Sequence, residues 1–60
     1  MIFENVQEIL KEKNITVTAF EDAIKIARGS FYKWRLHSPS IDKIKAAAEF
    51  LGVTVNDLVK

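Results

Sequence analysis

The side chains best suited to chemistry lie in one short stretch, ARGSFYKW, at residues 27–34. It combines two cations, Arg28 and Lys33, with three aromatic rings and a glycine. Guanidinium and ammonium groups bind phosphates, whereas aromatic rings at helical spacing usually fill a core. The stretch therefore indicates either a core helix that carries incidental charge or a surface helix that contacts a polyanion.

The basic residues of the chain are concentrated around this stretch. Residues 24–40 contain four cations and no acid, whereas the rest of the chain has five lysines against eight acids. The overall net charge of +1 therefore conceals a local excess of positive charge. Charge clustered beside aromatic residues and a helix start favours a polyanionic partner over a merely solvated face. The four cations are Lys25, Arg28, Lys33 and Arg35.

Composition gives little support to catalytic, metal-binding or membrane roles. The chain has no cysteine and a single histidine, His37, so thiolate and multi-histidine metal sites are excluded. No nucleophile–base pair is evident, and so short a chain has little volume for a pocket. No apolar run approaches the roughly 18 residues that span a bilayer, and no signal-peptide pattern opens the chain. We expect a cytoplasmic protein that is not an enzyme, without cofactor, small-molecule ligand or membrane partner.

Turn signals divide the chain into five short segments with helical periodicity and none with the alternation of a strand. This pattern predicts an all-α fold in one domain that spans residues 1–60. The expected helices cover approximately residues 2–13, 18–25, 28–36, 41–51 and 55–59.

Several helix ends are marked by capping residues. Thr18 and Glu21 have the spacing of a capping box at the start of the second helix, and Thr16 is the alternative cap. Asn14 and Gly52 suit the left-handed backbone that ends many helices.

The fourth predicted helix follows a break at Pro39. Ser40 is suited to cap its first turn. Its apolar face is expected to contain Ile41, Ile44, Ala48 and Leu51.

On an α-helical wheel, ARGSFYKW separates into two faces. Phe31 and Trp34 lie on the apolar face with Ala27 and Ser30, so we expect these two rings to pack against the second and fourth helices. Gly29 lies on the opposite face, where it is either tolerated near a helix start or allows close approach of a partner. The other residues of that face are Arg28, Tyr32 and Lys33, with Arg35 at its edge.

From Phe3 to Val59, the order of these segments resembles the Cro/Xre-type phage-repressor helix-turn-helix family without a gap. The segments SPSIDKI and AEFLGVTVNDLV are similar to the closing loop and last two helices of that family. The resemblance implies a five-helix, lambda-repressor-like DNA-binding fold with a central helix-turn-helix. The apolar positions of the two central helices are matched by Phe20, Ile24, Ile26, Phe31 and Trp34.

The chain departs from the family pattern at three positions near the turn. Glu21 replaces a residue that is usually small, and we expect it to serve the Thr18 capping box. Lys25 replaces a glycine, which indicates a left-handed lysine or a different turn. Val17 replaces a glutamine that can bind phosphate, a role that Thr16, Thr18 or nearby backbone N–H groups could take over.

The resemblance implies a sequence-specific transcriptional regulator that represses by occupying operator DNA as a homodimer, with residues 28–36 as recognition helix. Arg28 is the candidate for a bidentate contact with guanine. Lys33 could reach a base edge or a phosphate, and Tyr32 a phosphate or a thymine methyl. The other candidate DNA-contacting residues are Thr18, Gly29, Ser30, Arg35, Ser38 and Ser40.

A second interpretation is a protein-interaction module of the same fold, such as an antirepressor or an antitoxin-like binder. The small net charge and the outward Tyr32 are compatible with it. Loss of Arg28 and Lys33 would separate the two, because a protein partner bound elsewhere would not need them.

Overall fold

Five helices form the chain in the computed structural model, which describes all residues from Met1 to Lys60. Four are α-helices and the third is a 3₁₀ helix, so the predicted all-α fold is confirmed. None of the helices is both long and apolar enough to cross a bilayer. Their bounds are α1 Ile2–Glu12, α2 Val17–Ala23, the 3₁₀ helix Ser30–Arg35, α3 Ile41–Leu51 and α4 Val55–Val59.

Two helices end where the sequence predicts, at residues with a left-handed backbone. Asn14 follows α1 with φ of 58°, and the N–H of Ile15 donates to the carbonyl of Leu10 at 2.9 Å. Gly52 ends α3 with φ of 71°, and the N–H of Val53 donates to the carbonyl of Ala48 at 3.0 Å. Both arrangements bond a carbonyl that the helix end would otherwise leave free.

Helix α3 begins as expected but turns its first residue outward. The hydroxyl oxygen of Ser40 accepts the N–H of Lys43 at 3.4 Å, which confirms the predicted cap. The prediction that Ile41 lies on the buried face is wrong, because this side chain is 56% exposed. Ile41 occupies the first turn, beyond the edge of the small core, so the face is buried only further along the helix. The buried residues of α3 are Ala47, Ala48 and Leu51.

Aromatic rings from three helices form the centre of the core. The ring of Phe31 stacks on that of Phe3 with centroids 4.7 Å apart, and it meets the rings of Phe20 and Trp34 edge-on at 5.4 and 5.2 Å. The predicted burial of Phe31 and Trp34 is therefore confirmed. The stacking on α1 was not predicted. It makes α1 and α2 the support on which the 3₁₀ helix rests.

The two ends of the chain meet through hydrogen bonds. The side-chain amide of Asn5 donates to the carbonyls of Leu58 at 2.9 Å and Lys60 at 3.0 Å. Helix α4 begins with a reciprocal capping box, in which Thr54 and Asp57 each accept the other's backbone N–H at 3.1 Å. The sequence places Thr54 correctly as the start of the last helix.

The capping box of α4 makes part of the stability depend on pH. The backbone N–H of Thr54, and then its hydroxyl, lower the pKa of Asp57 below the ordinary value of an aspartate. Because the pKa is lower in the folded state, this carboxylate stabilises the fold above pH about 4, and the stabilisation is lost as pH falls through the lowered pKa.

We therefore expect Asp57→Ala to lower the free energy of unfolding at pH 7 and to have a much smaller effect at pH 2.5. Urea denaturation at both pH values measures the difference between variant and wild type. The control is Asp42→Ala, because Asp42 also lies in the first turn of a helix but makes no side-chain hydrogen bond. An Asp57→Ala effect that is equal at both pH values contradicts the assigned linkage.

Candidate nucleic-acid interface

Helix α2 begins at Val17, before the capping box predicted for it. The cap is Thr16, whose hydroxyl oxygen accepts the N–H of Ala19 at 3.1 Å. The predicted box of Thr18 and Glu21 is therefore wrong, and Thr16, the alternative, is the residue that caps. Thr18 lies exposed in the first turn of α2 and makes no side-chain hydrogen bond. Its hydroxyl is thus free to donate to a phosphate.

Glu21 has different hydrogen-bond partners from the Thr18 capping box that the sequence analysis expected. Its side chain is buried, and its Oε2 accepts the N–H groups of Gly29 at 2.9 Å and Phe31 at 3.1 Å. A carboxylate can afford such burial because hydrogen bonds from N–H groups offset part of the lost hydration. The signal in the sequence was an acid at a position where the family usually has a small residue.

The turn after α2 is made by a left-handed lysine. Lys25 has φ of 61°, and the N–H of Ile26 donates to the backbone carbonyl of Glu21 at 3.0 Å. This is the helix ending that glycine usually provides, so the left-handed lysine is the one of the two alternatives that the structure shows. The side chain of Lys25 is exposed beside the turn.

We expect Lys25→Gly to stabilise the fold by about 1 kcal/mol. A left-handed residue with a Cβ costs about 1–2 kcal/mol, of which the greater chain entropy of unfolded glycine cancels part. Lys13→Gly is the matched control, because Lys13 ends α1 with a right-handed φ of −93° and glycine gains nothing there. Urea denaturation compares both variants with the wild type. A stability of Lys25→Gly at or below that of Lys13→Gly contradicts the assignment.

Arg28 and Gly29 lie before the third helix and not inside it. The predicted α-helix over residues 28–36 is instead a 3₁₀ helix from Ser30 to Arg35, with Gly29 at the N-cap. Gly29 has φ of 85°, and a Cβ added there would meet no atom within 4 Å. The glycine is therefore required by its backbone conformation, and neither explanation offered from the sequence includes that reason.

The change of helix type regroups the side chains. In a 3₁₀ helix, residues three apart lie in the same row, so the helix has three rows of two. Phe31 and Trp34 form the buried row. The assignment of Ser30 to the apolar face is wrong in part, since Ser30 shares a row with exposed Lys33 and is itself half-buried. The third row holds Tyr32 and Arg35.

This third row leans on α1. The guanidinium carbon of Arg35 lies 5.5 Å from the centre of the Phe3 ring, within the range of a cation–π contact. The ring of Tyr32 is tilted against the same phenylalanine at 6.2 Å and remains half exposed. Both side chains are thus anchored at one edge of the helix. Lys33, in the next row, and Arg28, before the helix, extend freely.

The cations of this region have no acidic partner in the protein. The one ion pair of the chain joins the N-terminal amine to Glu4 at 4.0 Å and involves none of these cations. Exposed cations without a partner retain their full attraction for an anionic ligand. The structure exposes all four of these cations, which are Lys25, Arg28, Lys33 and Arg35.

The loop between the 3₁₀ helix and α3 exposes two of the predicted site residues. Ser38 and Ser40 are both accessible, and Ser40 uses its hydroxyl oxygen in the helix cap while its O–H can still donate. Asp42 lies in the first turn of α3, where its charge opposes an approaching phosphate. Nowhere in the chain do three His, Cys, Asp or Glu side chains lie close enough to hold a metal ion.

Comparison with known proteins agrees with this architecture. Residues 5–60 match the model of the Cro/C1-type HTH DNA-binding domain. No curated protein and no solved structure matches the chain significantly. The match covers α2, the turn at Lys25 and the 3₁₀ helix, which together form the helix-turn-helix. The chain therefore belongs to the Cro/C1-type helix-turn-helix DNA-binding domains.

Proposed function

We propose that the protein is a sequence-specific transcriptional regulator that represses by occupying operator DNA in the cytoplasm. The observation that carries this proposal is the set of four exposed cations without acidic partners around the helix-turn-helix. A surface of this kind attracts the phosphates of a duplex, and the exposed residues 27–29 before the 3₁₀ helix are accessible to the major groove.

The proposed roles follow from how far each side chain is free to reach. Arg28 precedes the 3₁₀ helix and contacts guanine O6 and N7. Lys33 is exposed and makes no ion pair within the protein, and it reaches a base edge or a phosphate. Tyr32 and Arg35 pack on Phe3 and contact the sugar–phosphate backbone of the DNA at one edge of the major groove. The remaining contacts to phosphate or sugar are assigned to the side chains of Thr18, Ser30, Ser38 and Ser40. The part assigned to Gly29 is close approach of the DNA, because it has no side chain and its N–H is already donated to Glu21.

The protein is further proposed to bind as a two-fold homodimer, because repressors of this type read two half-sites about one helical turn apart. The proposed dimer surface includes α4, whose Val59 is about half exposed. Val59 lines a groove with the exposed Met1 and Leu36, and the same groove is bordered by Arg35. Arg35 and Ser38 also line this groove, so a second copy docked there meets the proposed DNA surface at its edge.

Selection of bound fragments from a randomised duplex library tests sequence-specific binding and dimerisation together. The expected product is a pseudo-palindrome with half-sites about 10 base pairs apart. Binding should weaken steeply with salt, since each neutralised phosphate releases counterions and steepens the slope by about 0.9. No enrichment over random DNA contradicts sequence-specific function, and enrichment of isolated half-sites contradicts the dimer.

A promoter fusion tests repression. With the selected site overlapping the promoter, expression of the protein should lower reporter output, and the decrease should vanish when the site is scrambled. A rise in output would show an activator.

A further inference from the structure

The backbone N–H groups at the start of the 3₁₀ helix have a complete set of partners within the protein. The N–H of Ser30 donates to the carbonyl of Ala27 at 3.0 Å, and that of Tyr32 to Gly29 at 3.2 Å. The two N–H groups that remain, those of Gly29 and Phe31, both donate to Oε2 of Glu21. A helix start normally leaves such groups to solvent or to a bound anion. Here a side chain of the protein has taken that place.

Glu21 holds the segment before the helix at both ends. Its backbone carbonyl accepts the N–H of Ile26, and its carboxylate accepts the N–H of Gly29. Arg28 lies between these two fixed points. The direction in which the guanidinium leaves the protein surface therefore depends on hydrogen bonds made by one residue.

The charge of Glu21 is not matched by a cation. The residue is 2% exposed, and the one ion pair of the chain lies elsewhere. Burial of a carboxylate without a partner cation costs hydration free energy that hydrogen bonds offset only in part, and an apolar side chain of similar volume often serves a core as well or better. The carboxylate supplies an oxygen that accepts the N–H groups of both Gly29 and Phe31, which an apolar side chain could not do.

We propose that Glu21 is a positioning residue for DNA readout, which orients Arg28 toward the bases by fixing the backbone from Ile26 to Phe31. The proposal rests on the function proposed above and adds one mechanistic step to it. Because Glu21 occupies the free N–H groups, phosphate is not bound at this helix start. Discrimination between sequences then depends on the fixed direction of Arg28.

The test compares Glu21→Met, Glu21→Gln and wild type on two duplexes, the one selected by the wild type and a random one. Methionine keeps the volume but provides no strong acceptor, whereas the glutamine carbonyl can accept both N–H groups. We expect Glu21→Met to lower the ratio of specific to random affinity about five- to tenfold. This is the lower part of the discrimination that one arginine–guanine contact provides. Affinity for the random duplex should stay within twofold, because every cation is still present. Glu21→Gln should restore the ratio.

Asp22→Asn is the matched control. Asp22 is the exposed neighbour of Glu21 on the same helix, and its substitution removes one negative charge, as the Glu21 variants do. Its specificity ratio should equal that of the wild type. If Glu21→Met proves unfolded by circular dichroism, Glu21→Ala replaces it, since the smaller side chain admits water to the two N–H groups.

Amide hydrogen exchange measures the contact without DNA. In Glu21→Met or Glu21→Ala the amides of Gly29 and Phe31 should exchange faster relative to the rest of the chain, whereas Glu21→Gln should retain their protection. A folded variant without an acceptor that keeps both the amide protection and the specificity ratio overturns the positioning role. A wild type that selects no sequence overturns the proposed function instead, so the two failures are distinguishable.

Discussion

Replacing both Arg28 and Lys33 by alanine is expected to lower the affinity for the selected operator about 100-fold while the fold remains intact. A bidentate arginine–guanine contact provides about 1–3 kcal/mol of discrimination, and a lysine–phosphate contact adds a smaller, sequence-independent part. Both side chains are exposed and neither pairs with an acid, so their removal costs the core nothing. The melting temperature should therefore change little.

The single variants separate reading of bases from attraction to the backbone. Arg28→Ala should relax specificity at one position of the half-site, because the contact assigned to it is made to a base. If Lys33 contacts a phosphate, Lys33→Ala should weaken all sequences equally and reduce the salt slope by about one. Fluorescence anisotropy at several salt concentrations, on the selected duplex and on single-base variants, distinguishes the two outcomes.

A matched control keeps the change in net charge the same. Lys11 and Lys13 are exposed at the end of α1, outside the helix-turn-helix. Their double alanine variant should bind the operator within about threefold of the wild type, because screening weakens distant charges. If both double variants lost the same operator affinity, the loss would be due to the change in net charge alone. Unchanged affinity in the Arg28 and Lys33 variant would show that the contact assignment is wrong.

Features of the fold that depend on neighbouring residues could be predicted from the sequence. The cap at Ser40, the start of the last helix after Thr54 and the left-handed ends at Asn14 and Gly52 each involve residues within about five positions. Such patterns reflect the local competition of side chains and backbone for the same hydrogen bonds. For that reason the helix ends were recovered more accurately than the contacts between helices.

The third helix was misjudged because its geometry depends on a distant residue. The capping-box rule relates Glu21 to a residue three positions before it, whereas its actual partners lie eight and ten positions after it. The wheel assumed about 100° per residue, and a 3₁₀ helix turns about 120°, so Ser30 was grouped with the apolar residues although it shares a row with exposed Lys33. The outward position predicted for Tyr32 agrees with its 50% exposure. No periodicity within six residues can decide between these two geometries.

Burial of the aromatic row was predictable because it does not depend on helix type. Residues three apart share a face in either helix, so Phe31 and Trp34 point inward in both cases. The partners of that row were less predictable. Phe3, at the start of the chain, supplies the ring on which Phe31 stacks and the surface on which Arg35 rests.

Phe31→Ala is expected to destabilise the protein by about 3–5 kcal/mol, the cost of removing a buried phenyl ring and leaving a cavity. Phe31 is fully buried and its ring meets those of Phe3, Phe20 and Trp34. Native domains have about 0.05–0.15 kcal/mol of stability per residue, so a chain of this length has on the order of 3–9 kcal/mol in total. The variant should be largely unfolded near 37 °C, and urea denaturation at 10 °C should show the lost stability.

The control is Phe50→Ala, because Phe50 is 43% exposed and its ring meets that of Phe20 in a tilted contact at 6.2 Å. We expect it to cost about 1–2 kcal/mol, less than Phe31→Ala, since a large part of the Phe50 side chain stays in contact with water. Saturating operator should partly restore Phe31→Ala, because a ligand at 100 times its dissociation constant adds about 2.7 kcal/mol to the folded state. Equal stability of the two alanine variants would show that the 3₁₀ helix is not held through Phe31. The direction of Arg28 would then depend on Glu21 alone.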